Sequence, residues 1–151
     1  MSSSPKFNSD PDPENPGWLH WRLADERRFN AQVLGKMIVR LEDDGRARVR
    51  MFPEMKHTNL MGNLHGGTTL SLMDVALFAG ARMFGLIEAG TAVTLDMSVH
   101  FIGAGKADQP LDAVVELLTE TRRLLFMRGL VEQGDETIAA FSGTIRKPTA
   151  R

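Results

Sequence analysis

The chain has 151 residues, a formal net charge of -1, 42% hydrophobic residues and no cysteine. This length and hydrophobic content are typical of one globular domain with a sizeable core, and the small net charge disfavours partners such as nucleic acid or an anionic membrane. The lack of cysteine excludes disulfides, thiolate nucleophiles and cysteine-ligated zinc, and it is compatible with a reducing compartment.

The N-terminal part of the chain is polar before it becomes amphipathic. Residues 1–16 combine Ser, Pro, Asp and Asn without periodicity, which predicts a disordered tail because such a segment buries too little surface to offset the entropy of ordering. It has no signal-peptide core and no arginine-rich transit pattern, so we expect a cytoplasmic protein. Over residues 18–31, Trp18, Trp21 and Phe29 are spaced among charges, which predicts a short helix. This helix either packs on a sheet, which we favour, or covers a ligand pocket as a lid.

A hairpin and a loop follow. Residues 34–42 and 46–52 read as strands around an Asp-Gly pair, and this pair predicts a tight antiparallel turn. The loop of residues 53–64 carries Asn59 and Asn63 to the start of the next element. We expect Asn63 to cap that element.

The central stretch HGGTTLSLMDVALFAGAR, residues 65–82, is small or apolar except for Asp74 between its two ends. It predicts a helix from about residue 66 to about residue 84, ended by Gly85 or Gly90. Because the helix is apolar on every face, we expect protein to surround it. Asp74 and Arg82 interrupt its apolar run well before the length of about 18 residues that a membrane-spanning helix needs. A buried carboxylate must be paired, hydrogen-bonded or protonated, so we favour a functional role for Asp74 over a structural one.

The remaining chain reads as strands joined by short turns. Residues 91–102 alternate apolar and polar side chains, which predicts a strand whose apolar face is buried. Further strands are predicted at residues 111–121, 124–133 and 137–147; the first of these also fits a helix, but the short links favour a meander. The predicted apolar face of the first strand consists of Val93, Leu95, Met97, Val99 and Phe101, and its polar face of Thr94, Asp96, Ser98 and His100.

Together these elements predict an α+β fold in which a curled antiparallel sheet of about six strands wraps one long central helix, with the short N-terminal helix added. Residues 17–151 form a single domain in this interpretation. A single curled sheet stays open on the far side of the helix, so we expect the subunit to dimerise.

The sequence also resembles a known family. The string Asn59-Leu-Met-Gly62-Asn-Leu-His65-Gly66-Gly67, with an acid nine residues after the histidine and a threonine on the next strand, resembles the hotdog-fold acyl-CoA thioesterases. It is similar to the phenylacetic-acid-degradation (PaaI-like) type and to 4-hydroxybenzoyl-CoA thioesterases. The resemblance implies a hotdog fold, hydrolysis of an acyl-CoA without a metal or a cofactor besides the substrate's CoA, and a homodimer or homotetramer. The functional positions that it implies are Asn59, His65, Gly66, Asp74 and Thr94.

Thioester hydrolysis needs a polarised carbonyl and an activated nucleophile. The Gly66 N–H at the helix N-terminus is the expected oxyanion donor, and Gly67 lets a ligand approach the backbone closely. Asp74 lies eight residues along the helix, about 12 Å away. One copy therefore does not bring both groups to one carbonyl, and two antiparallel helices across a two-fold axis would build two composite sites.

Several roles stay open. Asp74 acts as general base or as nucleophile, and a hydroxyl bond from Thr94 would steady it. Asn59 orients the water or holds the thioester oxygen. His65 either braces the Asn59 loop, which we favour, or contacts the thioester. The other histidines, His20, His57 and His100, are expected at the surface or on strands.

Exposed basic residues are candidates for the CoA phosphates. Arg122 and Arg123, with Lys106 as an outlier, either contact these phosphates or form a solvated turn. The sequence contains no G-x-S-x-G, H-E-x-x-H or Walker motif and no metal-ligand cluster. Two alternative functions are a non-catalytic acyl-CoA binding module and a dehydratase or hydratase on the same scaffold.

Overall fold

The computed structural model describes residues 7–88 and 92–149, and it consists of a curled antiparallel sheet packed around one long helix. The elements are β1 (Phe7–Asn8), β2 (Leu19–His20), β3 (Arg22–Leu23), β4 (Met37–Leu41), β5 (Ala47–Met51), α1 (Gly66–Met83), β6 (Val93–Phe101), β7 (Leu111–Glu120), β8 (Leu124–Gln133) and β9 (Glu136–Arg146). Two single turns complete them, a π-helical turn at Asn30–Leu34 and a 3-10 turn at Met55–His57.

The main sheet has seven strands in the order β2-β4-β5-β7-β8-β9-β6, and every pair in it is antiparallel. β1 and β3 form a separate small ribbon. α1 lies on the concave side of the sheet and packs chiefly on β5 and β7 at its centre. The predicted α+β architecture and the predicted order of strands and central helix are confirmed. No helix among the described residues combines the length and hydropathy of a transmembrane span.

The helix ends where the glycine signal indicated. The N–H groups of Gly85 and Leu86 bond to the carbonyls of Arg82 and Ala81, at 2.9 and 3.0 Å. Gly85 adopts a φ of 74°. This is a Schellman arrangement, in which a residue in the left-handed region satisfies the last free carbonyls of a helix, and glycine adopts it without strain. Gly90, the other predicted helix end, lies outside the described residues.

One side of α1 remains open. Its sheet-facing side chains are fully buried, Leu72, Met73 and Leu77 among them. On the opposite side Leu70 is exposed, while Asp74 is only half-buried. The expectation that protein surrounds the helix on every face is therefore wrong for one copy of the chain. The structure agrees with the second expectation, that a curled sheet leaves the far side of the helix uncovered.

The N-terminal helix predicted at residues 18–31 is wrong. This segment contains the short strands β2 and β3, and its only helical piece is the turn at Asn30–Leu34. The Trp18 ring lies against two guanidinium groups, with the Cζ atoms of Arg40 and Arg50 at 4.4 and 4.8 Å from its centroid. Extended backbone lets this ring reach the sheet, and tertiary packing of this kind overrides a short amphipathic pattern.

The disordered tail predicted at residues 1–16 is wrong from residue 7 onward, while residues 1–6 lie outside the described chain. Phe7 is buried, and its ring meets that of Trp21 edge-on at 4.1 Å between centroids. Asp12 is buried too, and accepts a hydrogen bond from the Asn15 side chain at 2.8 Å. Burial alone would raise the pKa of Asp12, but bonds from Asn15, Lys36 and the Glu14 N–H outweigh it and lower this pKa to about 2.

We predict that Asp12 makes the stability of the fold depend on acid pH. Its folded pKa of about 2 lies below the unfolded value of 3.8, so its contribution is complete above the unfolded pKa and is lost as the pH falls through the folded pKa. The difference in Tm between wild type and Asp12→Asn should therefore be largest above about pH 4 and shrink towards pH 2. Thermal unfolding followed by circular dichroism at pH 7, 4 and 2.5 measures it. Asp43→Asn, in an exposed turn, is the control, and a pH-independent difference for Asp12→Asn would contradict the prediction.

Candidate active site

The start of α1 is capped by His65. Its Nδ1 accepts a hydrogen bond from the Gly67 N–H at 2.8 Å, and its backbone is extended, with φ of -66° and ψ of 136°. The accepting nitrogen carries no proton in this bond, so the neutral ring holds its proton on Nε2. A Cβ on Gly67 would lie 2.9 Å from Nδ1. A side chain at Gly67 would therefore crowd the His65 ring in its capping position, and the Gly67 N–H is already in use.

The expectation that Asn63 caps the helix is wrong. Asn63 lies two positions before the capping residue, and its Oδ1 instead accepts a hydrogen bond from Lys106 Nζ at 2.8 Å. The neighbouring Leu64 N–H bonds to the Gly105 carbonyl at 2.9 Å. These bonds join the loop before α1 to the β6–β7 link, so Lys106 lies near the start of the helix.

Gly66 is the first residue of α1, and its N–H has no acceptor among the described residues. The first N–H groups of a helix lack partners within the helix and bind anions or developing negative charge readily. A Cβ built on Gly66 would lie 3.5 Å from the Phe101 ring, an ordinary contact. The backbone at this position is therefore available to a ligand, and the site tolerates a small added group.

The loop before the helix is ordered by Asn59. Its Oδ1 accepts hydrogen bonds from the N–H groups of Met61 and Asn63, at 3.0 and 3.2 Å. Asn59 thus uses its side-chain oxygen to shape its own turn, as Asn does in Asx turns. Its side-chain NH₂ donates to no acceptor among the described residues, and it is the only part of the amide left for a ligand.

His57 is a supporting residue that sequence reasoning missed. It is buried rather than at the surface, its Nδ1 accepts from the Glu54 N–H at 2.9 Å, and its Nε2 lies 2.5 Å from the Val33 carbonyl oxygen. Its own carbonyl accepts from the His65 N–H at 2.8 Å. His57 therefore connects the capping histidine to the segment before β4. A histidine flanked by polar loop residues gives no periodic signal of burial, so the sequence carried no indication of this role.

Asp74 and Thr94 are brought together as predicted. The Thr94 hydroxyl donates to Asp74 Oδ1 at 2.7 Å. Asp74 is half-buried on the open side of α1, between the buried residues Met73 and Val75. Among the described residues no other hydrogen bond or ion pair to this carboxyl is present, so Oδ2 is left for a water molecule or a substrate.

A β-bulge directs Thr94 towards the helix. Thr94 pairs with Ile145 of β9 and Asp96 with Thr144, which leaves Leu95 as an extra residue in β6. Strict alternation would place Thr94 opposite the face of Met97 and Val99, as the sequence predicted. The extra residue shifts the alternation by one, so Thr94 shares the helix-facing side with them, and re-aiming a side chain is what bulges commonly do near sites.

The predicted burial of the whole apolar face of β6 is wrong for a single copy, in which only Met97 and Val99 of that face are half-buried. β6 is the last strand of the sheet and pairs with β9 alone in the described chain. Val93, Leu95 and Phe101 are exposed, at 42%, 52% and 58%. An edge strand that exposes apolar side chains is prone to pair with another chain. This edge and the open side of α1 are both uncovered.

A cavity of about 310 Å³ opens beside Asp74. Its walls include Asp74, Val75, Phe78 and Arg82 from α1, and Phe7 and Trp21 from the N-terminal segment. Trp21 therefore contributes to a ligand-sized cavity, whereas Trp18 lies on the sheet. The N-terminal segment both joins the sheet through β2 and covers this cavity, so it combines the two alternatives considered for it.

The predicted phosphate contacts are not brought together in one copy. Arg122 and Arg123 are exposed in the turn between β7 and β8. Lys106 lies at the other end of β8, where its N–H bonds to Gln133 Oε1 at 2.7 Å. The ten residues of β8 separate the two ends, about 30 Å for an extended strand. Among the described residues no three His, Asp or Glu side chains converge as a metal site requires.

Comparison with known proteins decides the family. The sequence profile of the thioesterase superfamily matches residues 61–140, more than half of the chain. The chain belongs to the thioesterase superfamily. The resemblance carried by His65, Gly66, Gly67 and Asp74 is thereby confirmed. The matched range includes these residues and Thr94, but it excludes Asn59 and the whole N-terminal segment.

Individual relatives of this thioesterase agree with the family. It is 28% identical to human acyl-coenzyme A thioesterase 13 over 108 residues, which cover 69% of this chain and 72% of the human protein. Protein PA5202 from Pseudomonas aeruginosa is 30% identical, with a TM-score of 0.65 over 82% of this chain and 98% of that one. A variant of the phenylacetic acid degradation protein PaaI from Thermus thermophilus is 25% identical, with a TM-score of 0.65 over 78% and 96% of the two chains. The hotdog fold and the PaaI-like relationship predicted from the sequence are thus confirmed.

Proposed function

We propose that this thioesterase hydrolyses an acyl-CoA to a free acid and CoA, and that Asp74 of one copy and the Gly66 N–H of a second copy act on the same carbonyl. The observation that carries the proposal is the Asp74 carboxyl, which Thr94 fixes in the wall of a cavity, on a helix whose only other charged side chain is Arg82. Human acyl-coenzyme A thioesterase 13, a relative by sequence, supports CoA esters as the substrate class.

The need for a second copy follows from the helix. Gly66 and Asp74 lie on one continuous helix, about 12 Å apart along its axis. A donor and a base that act on one carbonyl must lie within a few ångströms of the same atom. Two copies of α1 packed antiparallel across a two-fold axis bring the start of one helix to the middle of the other, and both sites form at once.

The uncovered apolar surfaces support a homodimer. The loop tip at Leu60 and Met61 is exposed at 108% and 83%, and Leu70 on the open side of α1 at 41%. Apolar surface of this extent next to an unpaired strand edge is typical of an interface. We propose that a second copy covers α1 and the β6 edge, and that two such dimers form the tetramer where one exists.

The chemistry balances without any group beyond water. Asp74 Oδ2 takes a proton from a water molecule, the water oxygen attacks the thioester carbonyl, and the oxyanion that forms is bound by the Gly66 N–H. The C–S bond then breaks, the thiolate of CoA leaves and takes up the proton, and the acid remains. Direct attack by Asp74, giving an anhydride that water cleaves, uses the same groups.

The other predicted residues have supporting roles in this proposal. Thr94 holds Oδ1 and so fixes which carboxylate oxygen faces the substrate. Asn59 offers its NH₂ to the thioester oxygen or to the water, while its oxygen shapes the loop. His65 caps the helix through Gly67 and keeps the neighbouring Gly66 N–H in place. In this proposal His65 supports the start of the helix and not the Asn59 loop that we expected it to brace, and it needs no contact to the thioester.

Release of free thiol from a panel of CoA thioesters tests the proposal directly. Short, medium and aryl acyl groups belong in the panel, and pantetheine esters serve as the comparison without the nucleotide. Hydrolysis of at least one ester is expected. Tight binding without thiol release would favour an acyl-CoA binding module, and a change in the acyl group without thiol release would favour a dehydratase or hydratase.

We predict that Arg122 and Arg123 contribute to binding of the CoA phosphates. Reversing both charges, Arg122→Glu with Arg123→Glu, should raise KM for CoA esters about tenfold and leave KM for pantetheine esters unchanged, because only CoA carries the phosphates. Steady-state kinetics at low salt measures the two KM values, with Arg28→Glu, exposed in the N-terminal segment, as the control. An equal rise for both ester types would exclude phosphate contact.

A further inference from the structure

The cavity beside Asp74 contains an arginine, Arg82, whose N–H groups meet no acceptor in the described part of the chain. Its Cζ lies 4.4 Å from the Phe7 ring centroid and 5.8 Å from that of Trp21. Arg82 is half-buried and lines the cavity. Among the described residues it makes no ion pair and no hydrogen bond, in contrast to Arg40, Arg48 and Arg50 on the sheet.

This arrangement holds the Arg82 guanidinium in place but leaves its N–H donors without acceptors. Stacking on an aromatic ring uses the flat face of a guanidinium, whereas its five N–H donors lie in its plane. A partly desolvated cation with no acceptor is costly, and water bonds to it only while the cavity is open. A ligand that displaces this water must supply an acceptor itself or lose affinity.

The position of Arg82 along the helix indicates which part of a ligand it would meet. Arg82 lies eight residues after Asp74 on α1, about 12 Å further along the axis. Val75 and Phe78 line the cavity between them. An acyl group whose thioester lies at Asp74 therefore runs past an apolar wall, and its far end reaches the guanidinium. The volume of about 310 Å³ limits the ligand part to a small acyl group, since it lies at the low end for ligand sites.

We propose that the acyl group carries an oxygen acceptor at the end distal to the thioester, a carboxylate for the strongest pairing, and that Arg82 is the residue that selects it. This inference rests on the proposed thioesterase function and names the substrate class of the same site. Two other ionisable groups line the cavity, Asp74 at the thioester end and Glu88. Glu88 is exposed, so water screens its carboxylate more than it screens the half-buried Arg82.

The proposal also gives the N-terminal segment a function. Phe7 and Trp21 lie outside residues 61–140, the range shared with the superfamily, and they position the Arg82 guanidinium by contact with its face. The part of the chain that is not shared thus shapes the acyl end of the site, while the shared part supplies the reacting groups. We therefore expect relatives with a different N-terminal segment to prefer different acyl groups.

Three CoA esters of matched length test the proposal: adipyl-CoA ending in a carboxylate, 6-hydroxyhexanoyl-CoA ending in a hydroxyl, and hexanoyl-CoA ending in a methyl group. We compare kcat/KM for wild type and for Arg82→Met, which keeps an unbranched chain without donors. The ratio of adipyl to hexanoyl turnover should fall about tenfold or more in Arg82→Met, the size expected for one lost charge-assisted hydrogen bond. Arg28→Met is the control and should leave the ratio unchanged.

Binding of the same esters to Asp74→Asn, measured by calorimetry, keeps the test independent of hydrolysis. If thiol is released from none of the esters but adipyl-CoA binds more tightly and Arg82→Met removes that preference, the proposed catalysis fails and the acyl assignment stands. If Arg82→Met weakens the adipyl and hydroxyl esters equally and hexanoyl-CoA less, a neutral acceptor oxygen is sufficient for selection by Arg82. Wild-type preference for hexanoyl-CoA, or a uniform effect of Arg82→Met on all three esters, overturns the proposal.

Discussion

Replacing Asp74 by Asn is expected to lower kcat for CoA thioesters about a thousandfold or more. Asn has nearly the same shape and still accepts a hydrogen bond from the Thr94 hydroxyl, which donates to Asp74 Oδ1 at 2.7 Å. The amide cannot take a proton from water or attack a carbonyl, and general base catalysis alone accounts for about 10² to 10⁴ in rate. Folding and ligand binding should persist, because shape and the Thr94 bond are kept.

The measurement combines thiol release with calorimetric binding of the same ester and with thermal unfolding. Asp96→Asn is the matched control, since Asp96 is exposed on the same strand beyond the bulge. Unchanged turnover in Asp74→Asn would remove Asp74 from the mechanism. Loss of binding together with turnover would instead give the carboxyl a role in holding the substrate.

Replacing Gly66 by Pro is expected to lower kcat about 10² to 10³ fold while the fold is kept, the loss typical for one oxyanion donor. Proline is favoured at the first position of a helix, where it removes only an N–H that has no partner inside the helix. The residue before it must be extended, and His65 already is, with ψ of 136°. The substitution therefore deletes the proposed donor and little else.

Gly66→Ala separates the N–H from the added bulk, because alanine keeps the N–H and its Cβ makes only an ordinary contact with Phe101 at 3.5 Å. Activity in Gly66→Ala with loss in Gly66→Pro supports the donor, whereas equal loss in both indicates that bulk blocks the ligand. Mixing Gly66→Pro with Asp74→Asn subunits tests the shared site. A mixed dimer contains one site with both intact groups, so activity should return on subunit exchange. No recovery after proven exchange would mean that both groups act within one copy.

The fold was predictable where the sequence repeats one simple pattern. The apolar stretch before Gly85 predicted α1 within one residue of its observed end at Met83. The Asp-Gly pair predicted the hairpin of β4 and β5, observed at Met37–Leu41 and Ala47–Met51. Local signals suffice for these elements because a glycine with positive φ, Gly45 or Gly85, turns the chain at the end of each of them.

The N-terminal segment was not predictable from its own residues. Trp18, Trp21 and Phe29 have helical spacing, but the positions of the two tryptophans depend on groups far along the chain, namely Arg40, Arg50 and Arg82. Two of these contacts exist only once β4 and β5 have formed. A short amphipathic pattern carries no information about such distant partners. The predictions of an N-terminal helix and of a disordered tail from residue 7 onward were wrong for this reason.

The site was predictable in its residue types but not in its bonding. The spacing of Gly66 and Asp74 on one helix indicated a shared site, and Thr94 was expected near Asp74 and is bonded to it. The capping by His65 instead of Asn63 and the burial of His57 depend on backbone geometry in the loop. Such geometry leaves no periodic trace in the sequence.

The extra residue Leu95 makes the direction of the Thr94 side chain depend on how the strand pairs, because Thr94 lies three positions before Met97 and both face the helix. Pairing of the same sequence without the bulge would restore strict alternation and turn the Thr94 hydroxyl to the outer surface of the sheet. Removal of Leu95 would instead place Thr94 two positions before Met97 in a regular strand, on the same helix-facing side. Natural variants of this protein that lack this one residue should therefore keep the threonine in contact with the carboxyl group.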